Sequence, residues 1–115
     1  GDVLRFIIPY PPSVNRMWRT YRGRILLSKE GRAYYDECTL GVASQRGGTM
    51  RGPVKVRLWV SPPDRRRRDL DNVLKPIMDL GTKAKIWDDD SQLVEIHATK
   101  EDPIKGGRVV MEVTE

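Results

Sequence analysis

The sequence predicts a small α+β protein with a mixed β-sheet and two main helices, packed largely on one side of that sheet. Its 115 residues suit a single domain with one hydrophobic core. Strand-like and helix-like segments follow one another in the order strand, hairpin, helix, strand, helix, strand, strand. This irregular order is typical of the α+β class. We therefore expect residues 1–115 to form one domain.

The N-terminal half predicts a strand, a hairpin and a helix. Val3–Tyr10 is apolar enough for a strand and is closed by two prolines. Arg19–Ser28 has the pattern of a β-hairpin with Arg22-Gly23 at its turn. Ser28 is then a suitable N-cap for a helix that runs to about Gln45. One face of that helix repeats apolar residues at four-residue spacing: Tyr34, Cys38 and Val42.

The C-terminal half predicts three further strands and a second helix. Arg46–Gly52 has the composition of a loop. Val54–Val60 places valine or leucine at every second position, which indicates a half-buried strand. A helix should follow the next, highly charged segment within about Asn72–Lys83. Leu93–Thr99 and Val109–Val113 complete the strands.

The composition excludes several kinds of site and points to an anionic partner. Cys38 is the only cysteine and His97 the only histidine, so neither a disulfide nor a thiolate or histidine-cluster metal site is expected. No apolar run approaches the roughly 18 residues of a membrane span, and we expect neither membrane association nor a signal peptide. The net charge is +5, and the basic excess lies in residues 1–57. A basic surface favours a polyanion such as nucleic acid.

The segment 64–90 contains the residues best suited to catalysis. Asp69 and Asp71 lie two positions apart, so extended backbone would place both carboxylates on the same side. Paired carboxylates repel unless a cation neutralises them, and Mg²⁺ is commonly held by one or two carboxylates with water and phosphate. A third carboxylate could come from the triplet 88–90. An N-cap, a solvated turn or a solvated loop would explain each of these motifs taken alone.

Lys75 follows Asp71 by four residues, which would bring the ammonium to that carboxylate on one helical face. Such a lysine can stabilise the negative charge that grows on a phosphate in the transition state. Pro76 has no N–H and belongs in a first helical turn. We therefore expect the helix to begin near Asn72–Val73, with Asp69 and Asp71 in the segment before it. Arg65–Arg68 fits phosphate binding, although an exposed basic edge is the alternative.

Taken together, these motifs resemble the RusA family of Holliday junction resolvases. The resemblance rests on P-D-R-R-R-R-D-L-D-N at residues 63–72, Lys75, Trp87 and D-D-S-Q at residues 89–92. The segment P-P-S-V-N-R at residues 11–16 is similar to the family's N-terminal motif, and the resemblance covers nearly the whole chain. It implies a RusA-like, homodimeric, Mg²⁺-dependent endonuclease, with Mn²⁺ as a substitute, that resolves four-way junctions by symmetric paired nicks in recombination and repair. It also implies a bacterial or phage protein of the cytoplasm, without an organic cofactor.

The resemblance assigns roles to individual residues. The essential acids, which would also hold the metal, fall on Asp69, Asp71 and Asp90, and the essential lysine falls on Lys75. Asp90 is chosen over Asp89 because it begins the family's D-x-Q motif. The candidate DNA-binding residues are basic or amide side chains: Arg65, Arg66, Arg67, Arg68, Asn15, Arg16 and Arg24. Weaker phosphate-contact candidates are Arg46 and Arg51.

Three other interpretations remain open from the sequence. The chain could bind branched DNA without cutting it, although retained acids argue against this because they repel phosphate without a metal. It could be a general Mg²⁺ nuclease acting on flaps or single strands. It could also be a structural partner in a phage or replication complex. Trp18, Tyr21 and Trp59 could stack on unpaired bases at a junction, but packing in the core or a dimer interface is the alternative.

Overall fold

The computed structural model describes residues 3–45 and 48–115. Within them lie six strands, three α-helices and one turn of 3₁₀ helix at Asp90–Gln92. In chain order the elements are β1 (Val3–Ile8), α1 (Val14–Met17), β2 (Trp18–Tyr21), β3 (Arg24–Leu27), α2 (Lys29–Gln45), β4 (Val54–Ser61), α3 (Asp71–Lys83), β5 (Leu93–Lys100) and β6 (Arg108–Thr114). The predicted order of strands and the two main helices is confirmed. The predicted loop at residues 46–52 is described only from Gly48, because Arg46 and Gly47 lie outside the described residues.

The main sheet has four strands in the order β1-β6-β4-β5. β4 and β5 are parallel, whereas β6 is antiparallel to both β1 and β4, so the predicted mixed sheet is confirmed. The parallel pair requires a crossover, which α3 supplies. β2 and β3 form a separate two-stranded hairpin.

One face of the main sheet is covered by the helices. Alternate residues of β4 are buried on that face: Val54, Val56, Leu58 and Val60. They belong to one core cluster with Tyr34 and Cys38 of α2 and Ile77 and Leu80 of α3. The opposite face carries exposed charged residues, among them Arg5 and Arg57. The helices therefore lie largely on one side of the sheet, as predicted.

The hairpin and the start of α2 follow the local sequence signals. Arg22 and Gly23 both have positive φ, 50° and 74°, as a two-residue turn of type I′ requires. The Ser28 hydroxyl accepts a hydrogen bond from the backbone N–H of Gly31 at 2.9 Å, so Ser28 is the N-cap of α2. Both predictions are confirmed.

The start of α3 differs from the prediction. Leu70 is helical, with φ −60° and ψ −37°, and the helix begins at Asp71, so the backbone between the two acids is not extended. The carbonyls of Asp69 and Leu70 accept hydrogen bonds from residues three positions later, at 3.2 and 3.1 Å, which tightens the helix entry. Pro76 consequently lies inside the helix rather than in its first turn. Its ring is buried in the core, which offsets the lost backbone hydrogen bond.

No helix among the described residues has the length and apolar character needed to cross a bilayer.

Candidate nucleic-acid interface and active site

A groove with a volume of about 650 Å³ lies between the N-terminal segment, the arginine run and the start of α3. Its wall is formed by three stretches of chain: residues 10–14 with Arg16, Pro63 with residues 66–68, and Asp69 with Asn72 and Val73. Two motifs that are far apart in the sequence, at residues 11–16 and 63–72, thus meet at one cleft. Three of its lining residues, Arg66, Arg67 and Arg68, bring positive charge to a concave surface.

Arg68 is held in place at the groove wall by hydrogen bonds to the turn that precedes it. Its guanidinium donates to the Asp64 carboxylate at 2.6 Å and to the Asp64 and Arg66 carbonyls at 3.2 and 3.3 Å. This hydrogen bond from Arg68 lowers the pKa of Asp64 to about 2, and the Arg66 backbone N–H adds to the effect. The Lys100 ammonium donates to the Arg68 carbonyl at 2.8 Å. The backbone of this turn is therefore held by Asp64 on one side and by Lys100 on the other.

The other arginines of the run are more accessible to a phosphate than Arg68 is. Arg66 lies 3.9 Å from Asp64 and is otherwise exposed. Arg65 and Arg67 are exposed and form no ion pair with any residue in the described ranges. Guanidinium groups without a carboxylate partner are suited to phosphate oxygens.

Three further candidate DNA-binding residues lie outside the arginine run. Arg16 lines the groove, but its guanidinium is engaged by Glu30 at 2.9 and 3.1 Å. Asn15 is exposed beside the groove and does not form part of its wall. Arg24 lies on β3 and is exposed, away from the groove. The groove therefore unites only part of the predicted set.

Asp69 and Asp71 lie at the end of the groove where α3 begins. Asp69 lines the groove, and Asp71 is the first residue of the helix. Both side chains are exposed, and neither forms an ion pair within the described part of the chain. A carboxylate at a helix N-terminus is favoured by the helix dipole, which accounts for the tolerance of Asp71 there.

Asp90 lies at the opposite end of α3. Its carboxylate accepts hydrogen bonds from the Thr82 hydroxyl and, at 3.3 Å, from the Trp87 indole N–H. Thr82 belongs to the last turn of α3, so the helix separates it from Asp71 by about 16 Å along the axis. Accordingly, residues 3–45 and 48–115 contain no group of three potential metal-binding side chains close together. The three predicted acids are not united within one chain.

Lys75 has a different partner from the one expected. Its ammonium lies 3.9 Å from the carboxylate of Asp79, one turn further along α3, and does not pair with Asp71. It also lies 4.5 Å from the centroid of the Trp18 ring, a cation–π contact with the base of the hairpin. The Tyr35 hydroxyl donates to Asp79 at 3.4 Å, and burial raises the pKa of Tyr35. Lys75 is still largely exposed, so its ammonium is accessible to a phosphate.

The acidic triplet is stabilised by a polar residue whose structural role was not identified from sequence. Gln92 accepts hydrogen bonds from the backbone N–H groups of Asp88 and Asp89, both at 2.8 Å, and donates to two carbonyls of residues 50 and 52, both at 2.9 Å. Asp89 accepts from the Ser91 N–H at 2.8 Å, and hydrogen bonding from the Ser91 hydroxyl, followed by that N–H, lowers the pKa of Asp89. Together Asp89 and Gln92 form a capping box, a signal that the D-x-x-Q spacing already carries. Asp88 pairs with Arg51 at 3.1 Å, so that arginine is not free for phosphate.

The aromatic candidates and the histidine lie in different environments. Trp18 is partly buried against the core, whereas Tyr21 is 54% exposed. Trp59 lies on the open face of the sheet, with the guanidinium groups of Arg57 and Arg5 at 4.7 and 5.7 Å from its ring. His97 is exposed on β5 and takes no part in the groove.

Known proteins resemble this chain over nearly its whole length. Residues 9–114 match the family described as endodeoxyribonuclease RusA. The chain is 45% identical over 111 residues to the crossover junction endodeoxyribonuclease RusA of Shigella sonnei, covering 94% of this chain and 91% of that protein. It is 45% identical over 113 residues to the enzyme of the same name from Enterobacteria phage 82, and 44% identical over 111 residues to that of Escherichia coli K12, with the same coverage.

Proposed function

This chain belongs to the RusA family of endodeoxyribonucleases, and from that premise we propose that it is a crossover junction endodeoxyribonuclease acting in DNA recombination and repair. It binds four-way junctions and hydrolyses one phosphodiester bond in each of two opposing strands. The observation that supports this function most directly is the groove in which the arginine run meets Asp69 and the start of α3. The arginines bind the DNA backbone, and the acids lie where that backbone passes.

Binding of DNA rests on the groove arginines. Arg65 and Arg67 are exposed without carboxylate partners among the described residues, so each can pair with a phosphate at little desolvation cost. Arg68 holds the turn in place through Asp64 and thereby orients its neighbours. Asn15 extends the contact along the N-terminal segment, Arg16 adds to it by exchanging its Glu30 partner for a phosphate, and Arg24 extends it onto the hairpin.

The residues at the start of α3 fit a hard divalent cation, Mg²⁺ or Mn²⁺. Asp69 and Asp71 supply carboxylate oxygens, and both are exposed and lack a cationic partner within the described residues. Such acids next to a phosphate backbone are repulsive unless a cation is shared between them. When bound, the cation supplies Lewis acidity at the scissile phosphate. Lys75 is accessible one turn along the helix and offsets the negative charge that develops on the phosphate.

The third acid requires a second copy of the chain. Because α3 holds Asp90 about 16 Å from Asp71, we propose a homodimer in which the partner subunit's Asp90 completes each site. A twofold dimer has two equivalent sites, and a four-way junction has two equivalent strands to cut. Two acids from one subunit and one from its partner would thus couple dimer formation to catalysis.

The function is tested with a synthetic four-way junction and a linear duplex of the same sequence. The wild type should nick two opposing strands of the junction in Mg²⁺ and leave the duplex intact, and EDTA should abolish the nicks. Asp71→Asn should lose cleavage but keep junction binding. Asp36→Asn, which removes an exposed carboxylate on α2, is the matched control and should cut normally. Binding without cleavage in every divalent metal would leave a non-catalytic branched-DNA-binding protein. A flap and a single strand are included as further substrates, and their cleavage at the same rate as the junction would indicate a general nuclease.

The shared site is tested by mixing two inactive variants. A heterodimer of Asp71→Asn with Asp90→Asn retains one intact site if the acids come from different subunits, so the mixture should regain single nicks. If all three acids act within one subunit, neither site is intact and the mixture stays inactive. A mixture of Asp69→Asn with Asp71→Asn, whose acids lie on the same chain, is the control that should stay inactive in either case.

A further inference from the structure

The β2–β3 hairpin carries a concentrated positive charge without neutralising acids. Between Trp18 and Leu27 the sequence contains three arginines and no aspartate or glutamate. Within residues 3–45 and 48–115, Arg19, Arg22 and Arg24 form no ion pair with any carboxylate. The hairpin is therefore a second basic surface, separate from the arginine run of the groove.

The outer part of the same hairpin exposes apolar side chains. Tyr21 is 54% exposed and Ile25 is 76% exposed. Tyr21 is directly opposite Arg24 in the strand register, and the Arg22 guanidinium lies 5.4 Å from the Tyr21 ring centroid. An exposed aromatic ring beside one guanidinium, with a second arginine opposite it in the strand register, is a combination that suits bases together with their phosphates.

The base of the hairpin is fixed to the catalytic side of the molecule. α1 leads directly into β2, and the Ser28 N–H donates to the Met17 carbonyl at 2.8 Å, so both ends of the hairpin are held together. Trp18 and Leu27 pack against the core, and Trp18 contacts the ammonium of Lys75. α1 also contributes Arg16 to the groove, so the groove and the base of the hairpin are adjacent.

The tip of the hairpin is not optimised for turn stability. Arg22 has φ 50°, a left-handed conformation in which asparagine or glycine is preferred. An arginine therefore stands at a position where the backbone disfavours it. Its guanidinium is held against the exposed face of Tyr21, so the turn adds positive charge beside that ring.

We propose that the outer half of the hairpin binds unstacked bases of DNA at a branch point, with Tyr21 stacking on a base and Arg19, Arg22 and Arg24 contacting the flanking phosphates. This inference rests on the proposed junction substrate and adds the element that distinguishes a branch from continuous duplex. A second copy of the chain is the rival occupant. A symmetric hairpin-to-hairpin contact is disfavoured because it would oppose six arginines without a carboxylate.

The test measures binding to a four-way junction and to linear duplex in EDTA, using a junction labelled with 2-aminopurine next to the branch. Tyr21→Ala should weaken junction binding by about tenfold, the typical effect of one base–aromatic stack, and should change duplex binding by no more than about twofold. It should also reduce the change in 2-aminopurine fluorescence that the wild type produces. Tyr21→Phe keeps the ring and should behave as wild type. Leu40→Ala removes another exposed apolar side chain, 73% exposed on α2, and should have no effect.

The outcomes separate the two proposals. If the wild type has no preference for junctions, the proposed function fails and the hairpin inference fails with it. If the wild type prefers junctions and Tyr21→Ala retains that preference, only the hairpin inference is overturned. Equal losses on junction and duplex also overturn it. A sedimentation coefficient that falls to the monomer value in Tyr21→Ala would assign the ring to a contact between subunits instead.

Discussion

Gly81 permits the close contact between α3 and Trp87 that also fixes Asp90. A Cβ atom at residue 81 would lie 2.0 Å from Cζ2 and 2.1 Å from Cη2 of the Trp87 ring. Trp87 is fully buried, and its indole N–H donates to Thr82 at 2.9 Å, so the ring cannot turn away into solvent. We therefore expect Gly81→Ala to destabilise the fold and to displace the Asp90 carboxylate at the same time.

The magnitude follows from two opposing effects. Relieving the clash requires a shift of about 1.4 Å in a close-packed core, which places the cost near the upper end of the usual range of about 1–3 kcal/mol or above it. Replacing glycine by alanine within a helix returns about 1 kcal/mol. The net loss in the free energy of unfolding should be about 2–3 kcal/mol, a decrease of roughly 10 °C in Tm.

Urea unfolding followed by tryptophan fluorescence measures this loss, and junction cleavage reports on Asp90. Gly41→Ala is the matched control, because the nearest atom to its added Cβ is 4.0 Å away and Gly41 also lies within a helix. That variant should gain up to about 1 kcal/mol. Equal stability changes in Gly81→Ala and Gly41→Ala would refute the reasoning, since helix propensity alone would then explain both.

Three other predictions concern capping, the acidic triplet and pH. Ser28→Ala should lose about 1 kcal/mol of stability with the N-cap of α2, measured by thermal unfolding, and an unchanged Tm would contradict this role. Gln92→Ala removes four hydrogen bonds that hold residues 88–89 to residues 50 and 52. Urea unfolding should therefore show a loss of about 2–3 kcal/mol in the free energy of unfolding. A change below about 0.5 kcal/mol would mean that water replaces these hydrogen bonds. Because the folded pKa of Asp64 is lowered to about 2, its ion pair should persist above the ordinary pKa of 3.8 and be lost as the pH falls toward 2. An NMR titration should show that low midpoint in the wild type and a return toward 3.8 in Arg68→Ala; identical midpoints would exclude Arg68 as the cause.

Several parts of the fold were predictable because their signals are local. The alternation of Val54–Val60, the turn at Arg22-Gly23 and the N-cap at Ser28 each depend on residues within a few positions of one another. The arginine run and the two acids at the start of α3 could be identified in the same way. The helix entry at Leu70 was predicted wrongly, because its packing against the core and two short-range backbone bonds outweigh the extended preference of the preceding prolines.

The amino-acid sequence by itself determined the fold class, the order of the elements and the family, because periodicity, capping and motif spacing depend on residues close together in the sequence. Only the tertiary structure decided which of the candidate residues meet. Folding brings residues 11–16 beside the arginine run. Lys75 forms an ion pair with Asp79 rather than with Asp71, and Asp90 lies beyond the far end of α3. The physical reason is that a rigid helix fixes the distance between its ends, and a side chain selects its partner among groups that folding brings near.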